Sequence, residues 1–132
     1  MAVDIRQAMT DPHLFGDTFG GDSFAAWRSL LAGFYGLDLD DIEAETFKAL
    51  TGRKETPAQV HDELWLAVGR RGGKSHAAGL LAIYEACFTD HRDRLAPGEV
   101  ATCMVIASDR RQARAVMRYI SGLVNENPML RR

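Results

Sequence analysis

"LWLAVGRRGGKSHAAGLLAIYEACF", residues 64–88, decides how the rest of this chain reads. Residues 64–68 are short, continuously apolar and bounded by glycine, which predicts a strand covered on both faces. From Lys74 to about Asp90 the apolar residues Ala77, Ala78, Leu80, Leu81, Ile83, Tyr84, Cys87 and Phe88 point in nearly every direction of a helical wheel. That pattern predicts a buried helix. Between the two lies a loop with three glycines, Gly69, Gly72 and Gly73, followed by Lys74 and Ser75. The phosphate-binding pattern G-x-x-x-x-G-K-[ST] is met at its end but not at its start. Val68 stands where the first glycine belongs, and Gly69 comes one place later.

The loop has the parts that a phosphate requires. An anion cradle needs backbone N–H groups turned inward, a helix N-terminus behind them and a cation. Gly72 and Gly73 let the backbone approach without a Cβ in the way. Lys74 can reach the β- and γ-phosphates of a nucleotide, and the Ser75 hydroxyl can hold Mg²⁺. The alternative is a glycine-rich turn with an incidental Gly-Lys-Ser. A strand before the loop and a buried helix after it favour the phosphate reading.

Working outward, "RDRLAPGE" (92–99) reads as a turn and "VATCMVIA" (100–107) as a second buried strand. Ser108 or Asp109 caps a helix to about Asn125, with Ala113, Val116, Met117, Ile120, Leu123 and Val124 at helical spacing. Strand, loop, helix, strand, helix is the opening of an α/β parallel sheet. Upstream, the first ~20 residues read as an irregular lead-in. Asp22 or Ser23 caps a helix carrying Phe24, Trp27, Leu30, Leu31 and Phe34, which Gly36 ends. A second, acidic helix starts near Asp40, carries Ile42, Phe47 and Leu50, and stops at Gly52. "GRKETPAQ" (52–59) is then a loop. The expected organisation is a helical lead-in over residues 1–56 and an incomplete α/β domain over 57–132.

At 132 residues, 46% of them hydrophobic and 26% charged, the chain has the composition of a globular domain. It has no apolar run long enough to span a membrane, and residues 1–16 do not read as a secretory leader. Cys87 and Cys103 lie in apolar surroundings and read as buried free thiols of a reducing cytosol. Trp27, Phe24, Phe34 and Trp65 read as packed, and the four histidines have no metal-like spacing. Charge is uneven. Residues 1–63 hold twelve acidic and five basic side chains, residues 64–132 six acidic and eleven basic. The C-terminal half is therefore the natural face for phosphates or nucleic acid. Arg110, Arg111, Arg114 and Arg118 lie off the apolar face of the last helix. They read first as a solvated face, and second as a contact for a DNA backbone or a neighbouring subunit.

"VGRRGGKS" resembles the Walker A segment of the large terminase subunits of tailed bacteriophages, in which the first glycine is often replaced and an arginine stands four places before the lysine. Arg70 fills that place. "MVIASDRRQARAVMRYISGLVNENPML" resembles the strand and Arg-Gln-Ala helix that follow in that family. "FAAWRSLLAGFYGLDL" and "FKALTGR" resemble its helical lead-in, so the likeness runs from about residue 12 to 132. The resemblance implies an α/β fold, part of a P-loop NTPase parallel sheet with helices on both faces. It also implies a motor that packages double-stranded DNA into procapsids by hydrolysing ATP, in the cytoplasm of a bacterial host.

Carried over by position, Gly69, Arg71, Gly72, Gly73 and Lys74 would surround the phosphates, with Lys74 catalytic, and Ser75 would hold Mg²⁺. Arg70 would act catalytically near the γ-phosphate. Gln59 would lie near the adenine. The family's partners are a portal, a small terminase subunit and further copies of the motor. Its Walker B carboxylates and its nuclease domain find no counterpart in residues 1–132. The expectation is therefore an N-terminal fragment with little turnover of its own. A helicase-type motor and a non-catalytic prophage remnant are the alternatives.

Overall fold

The computed structural model describes residues 2–131. They form two compact units, residues 4–70 and residues 71–131 with residues 2–3.

The expected α/β sheet is not present. Every regular element among the described residues is helical, and none is a strand. Residues 64–68 and 100–107 belong to no regular element, and no backbone hydrogen bond among the described residues engages either run. A strand exists only as part of a paired ladder, and an apolar run reports what a segment can bury without supplying its partner. The side chains show the consequence. Trp65 is 89% exposed, Val100 83% and Ile106 84%. Trp65 is therefore not packed as its sequence context suggests.

The first unit begins with α1 (Ile5–Thr10), in place of the expected irregular lead-in. A reciprocal cap nucleates it. The Asp4 carboxylate accepts from the Gln7 backbone N–H at 2.8 Å, and the Gln7 side chain accepts from the Asp4 N–H at 3.0 Å. Ile5, Ala8 and Met9, spaced three and four apart, are buried. One turn, α2 (Gly16–Phe19), and a 3₁₀ turn (Asp22–Phe24) lead to α3 (Ala25–Phe34). The Arg28 guanidinium closes this connection by donating to the carbonyls of Phe19 (2.6 Å) and Gly21 (2.7 Å).

Trp27, Leu30 and Leu31 of α3 are buried as their spacing predicts, and Gly36 turns the chain at φ +69°. In α4 (Asp41–Thr51), Asp40 and Glu43 form a second reciprocal cap, and Gly52 ends the helix in the left-handed conformation. Phe47 is the one α4 side chain that reaches the core. Its ring lies over Gly33 of α3, where a Cβ would come within 2.4 Å of it. Ile42 and Leu50, expected beside Phe47, are exposed. Glu43 also ties α4 to α1, because Arg6 donates to both of its carboxylate oxygens (3.0 and 2.7 Å) and to the Asp38 carbonyl. The N-terminal caps are thus shared supports. We expect Asp40→Ala to lower the melting temperature by a few degrees, corresponding to about 1 kcal/mol. No change in thermal unfolding would show that this cap is redundant.

In the second unit, α5 (Lys74–Ile83) is shorter than expected and continues as a π-helical turn (Tyr84–Phe88). It is buried on one side only. Ala77, Leu80, Ile83 and Tyr84 face the interior, whereas Ala78 and Cys87 are exposed. Cys103 is exposed as well, so neither thiol is buried as expected. The long helix α6 (Arg110–Glu126) starts at Asp109, whose carboxylate accepts from the Gln112 N–H at 2.9 Å. It crosses α5 at Gly79, where a Cβ would lie 3.2 Å from the Tyr119 Cβ and 3.6 Å from the Ile120 side chain. Leu123 is its buried anchor. The Tyr84 hydroxyl donates to the Val3 carbonyl at 3.1 Å, tying residue 3 to this unit.

Between the two helices, the exposed Asp90 accepts from the Arg92 side chain and backbone N–H. The Arg92 hydrogen bonds hold its carboxyl well below the ordinary value of 3.8. A depressed folded value stabilises above the unfolded one and loses that contribution as pH falls through the folded value. Carboxyl chemical shifts should therefore show Asp90 still ionised well below pH 3.8, and Arg92→Gln should return it to the ordinary range. Titration near 3.8 in the unaltered chain would contradict this pairing. No helix among the described residues is long and apolar enough to cross a membrane.

Candidate phosphate-binding loop

The chain turns sharply just before α5. Arg71 is the one non-glycine residue with positive φ among the described residues (+61°), and Gly73 follows at +80°. A left-handed arginine costs of order 1 kcal/mol, so the path of this loop is held against a local preference. Gly73 stands at the N-cap of α5, and no side chain caps the helix. Lys74, its first residue, is exposed, and Ser75 is half-buried. The ten-residue helix presents the positive end of its dipole here, with no acidic side chain in its first turn. The His76 ring packs on that of Tyr119, with centroids 4.0 Å apart.

Residues Arg71, Gly72, Gly73, Lys74 and Ser75 are thus brought together on one turn and one helix end. Gly69, Arg70 and Gln59 belong to the other unit. A Cβ added at Gly69 would meet nothing within 4 Å, and Arg70 and Gln59 are exposed. The backbone of Gln59 is nonetheless fixed within its own unit. Gly36 approaches so closely that a Cβ there would lie 2.5 Å from the Gln59 carbonyl carbon, and the His61 N–H donates to the Phe34 carbonyl at 3.0 Å.

The donor set at the start of α5 fits the phosphates of a nucleotide: a left-handed glycine, a helix N-terminus, an ammonium group and a hydroxyl. It fits Mg²⁺ only through phosphate. Among the described residues no group of three or more His, Cys, Asp or Glu side chains is placed to hold a metal ion. Ser75 would add a single oxygen ligand to an ion carried mainly by phosphate and water, the usual state of Mg²⁺. These are the groups that an anion would require, and no acidic residue stands in the first turn of α5.

A second concavity, in the first unit, has no counterpart in the sequence reading. This cavity of about 180 Å³ is lined by Leu30, Phe34, Phe47, Thr51, Arg53, Pro57, His61, Glu63, Leu64 and Trp65. The Trp65 indole N–H donates to Glu63 at its rim (3.3 Å). Phe34 and Phe47 give an ordinary core signal, so their spacing could not have marked a cavity. Comparison with protein-family models, with curated proteins and with solved structures finds no match.

Proposed function

We propose that the turn from Arg71 to Ser75 binds the phosphates of ATP, and that the chain is the ATP-binding part of a terminase-type DNA-packaging motor of a phage or prophage. One observation carries the first half. Gly73, at φ +80°, opens an otherwise uncapped ten-residue helix whose first two residues are Lys74 and Ser75. Gly72 and Gly73 put no Cβ between the backbone and the phosphates, Lys74 would supply charge and Ser75 would hold Mg²⁺. Bound Mg²⁺ would neutralise charge on the phosphates. The second half rests on the resemblance of residues 12–132 to the large terminase subunits. It implies action in a bacterial cytoplasm, with double-stranded DNA, a portal, a small terminase subunit and further motor copies as partners.

The test is titration calorimetry with Mg-ATP, beside Lys74→Ala. Saturable binding that the substitution weakens supports the reading. A folded chain that takes up no Mg-ATP removes it.

A further inference from the structure

The cavity of the first unit, about 180 Å³, combines an apolar floor with a charged mouth. Leu30 and Phe47 are buried, and Phe34, Pro57 and Leu64 are half-buried beside them. Thr51, Arg53, Glu63 and Trp65 line the same space and are exposed. Backbone contacts fix the wall. The His61 N–H donates to the Phe34 carbonyl at 3.0 Å, and the Arg53 N–H donates to the Thr51 hydroxyl at 3.3 Å. Trp65, although 89% exposed, has its indole N–H on the Glu63 carboxylate at 3.3 Å. Arg53 and Glu63 carry opposite charges at one cavity, yet among the described residues neither forms an ion pair.

We infer that this cavity binds a small zwitterion, an α-amino acid whose apolar side chain is about the size of one ring. Size sets the side chain. A cavity of about 150 Å³ takes a benzene ring, so this one accommodates a benzyl or isobutyl group and excludes a drug-sized body. Charge sets the head group. A guanidinium matches a carboxylate in bidentate fashion, and a carboxylate beside an aromatic ring suits an ammonium group. A plain carboxylic acid would be repelled by Glu63, and a plain amine by Arg53. A zwitterion meets both charges while its side chain fills the apolar floor. The cavity shares no residue with the turn from Arg71 to Ser75, so the inference is independent of ATP binding.

The experiment is titration of the full, isotope-labelled chain with L-phenylalanine, read by the chemical shifts of the Trp65 indole N–H and of the backbone amides. 3-Phenylpropanoate and 2-phenylethylamine, each lacking one of the two charges, are titrated beside it. Phenylalanine should saturate with a dissociation constant of about 1 mM, the range for a ligand of its size. It should bind about threefold more tightly than either analogue, as an exposed ion pair provides. Arg53→Gln should erase the preference over phenylethylamine and keep that over phenylpropanoate, and Glu63→Gln should do the reverse. A general loss of structure cannot produce that crossed pattern, and the three ligands on the unaltered chain decide the matter if either variant misfolds. Lys54→Gln, which lies outside the lining, should bind as the unaltered chain does. No saturation at about tenfold higher concentration, equal binding of the three ligands, or charge variants that keep both preferences would each overturn the inference. So would displacement of phenylalanine by adenosine, which would assign the cavity to a nucleotide.

Discussion

Phe47→Ala should lower the stability of residues 4–70 by about 3 kcal/mol, at the low end for truncation of a buried aromatic. The side chain is nearly fully buried and is the one large group by which α4 reaches α3. Its ring covers Gly33 so closely that the effect of filling Gly33 must depend on it. In the unaltered chain, Gly33→Ala places a Cβ at 2.4 Å from the Phe47 ring, and the overpacking should cost about 1–3 kcal/mol. With Phe47 already truncated, the same substitution should stabilise. The ring is gone, and alanine is favoured over glycine within a helix by about 1 kcal/mol. Urea midpoints of the four chains give the cycle. A Gly33→Ala effect of the same sign in both backgrounds would contradict the packing described here.

Lys74→Ala should weaken Mg-ATP binding tenfold or more, about 1.4 kcal/mol. The lysine is exposed at the first position of α5, so its loss disturbs no core contact and the effect reads on the ligand alone. The first turn of α5 contains no acidic residue, so Lys74 spends no charge on a neighbour within that turn. An unchanged dissociation constant would assign the loop to structure and leave Gly-Lys-Ser without a ligand.

Local chemistry is what the residues alone reveal. The stops at Gly36 and Gly52 and the caps at Asp40 and Asp109 are legible, because a cap is decided within three or four residues of itself. The buried stripe of Trp27, Leu30 and Leu31 is legible from helical spacing. Pairing is non-local, and there the residues mislead. "LWLAV" and "VATCMVIA" have strand composition, yet no ladder forms among the described residues, and Trp65, Val100 and Ile106 face solvent. Cys87, Cys103 and Trp65 are exposed against expectation for the same reason, since apolar neighbours along the chain do not amount to burial. The close approaches at Gly33 and Gly79 leave no trace either, because a glycine within a helical run looks the same whether or not a ring lies over it. At the candidate site the residue types are legible, and the left-handed Arg71 that shapes the turn is not. The α1 cap is written in the residues themselves, as Asp4 followed three places later by Gln7, a signal that the irregular composition around it obscures.

The most direct measurement is the amide chemical-shift change of each residue as Mg-ATP is added to the uniformly labelled chain. If the loop binds phosphate, the largest changes fall on the amides of Gly72, Gly73, Lys74 and Ser75, and they disappear in Lys74→Ala. Changes concentrated instead around the cavity at Leu30, Phe34 and His61, or no changes at all in a folded chain, would contradict it.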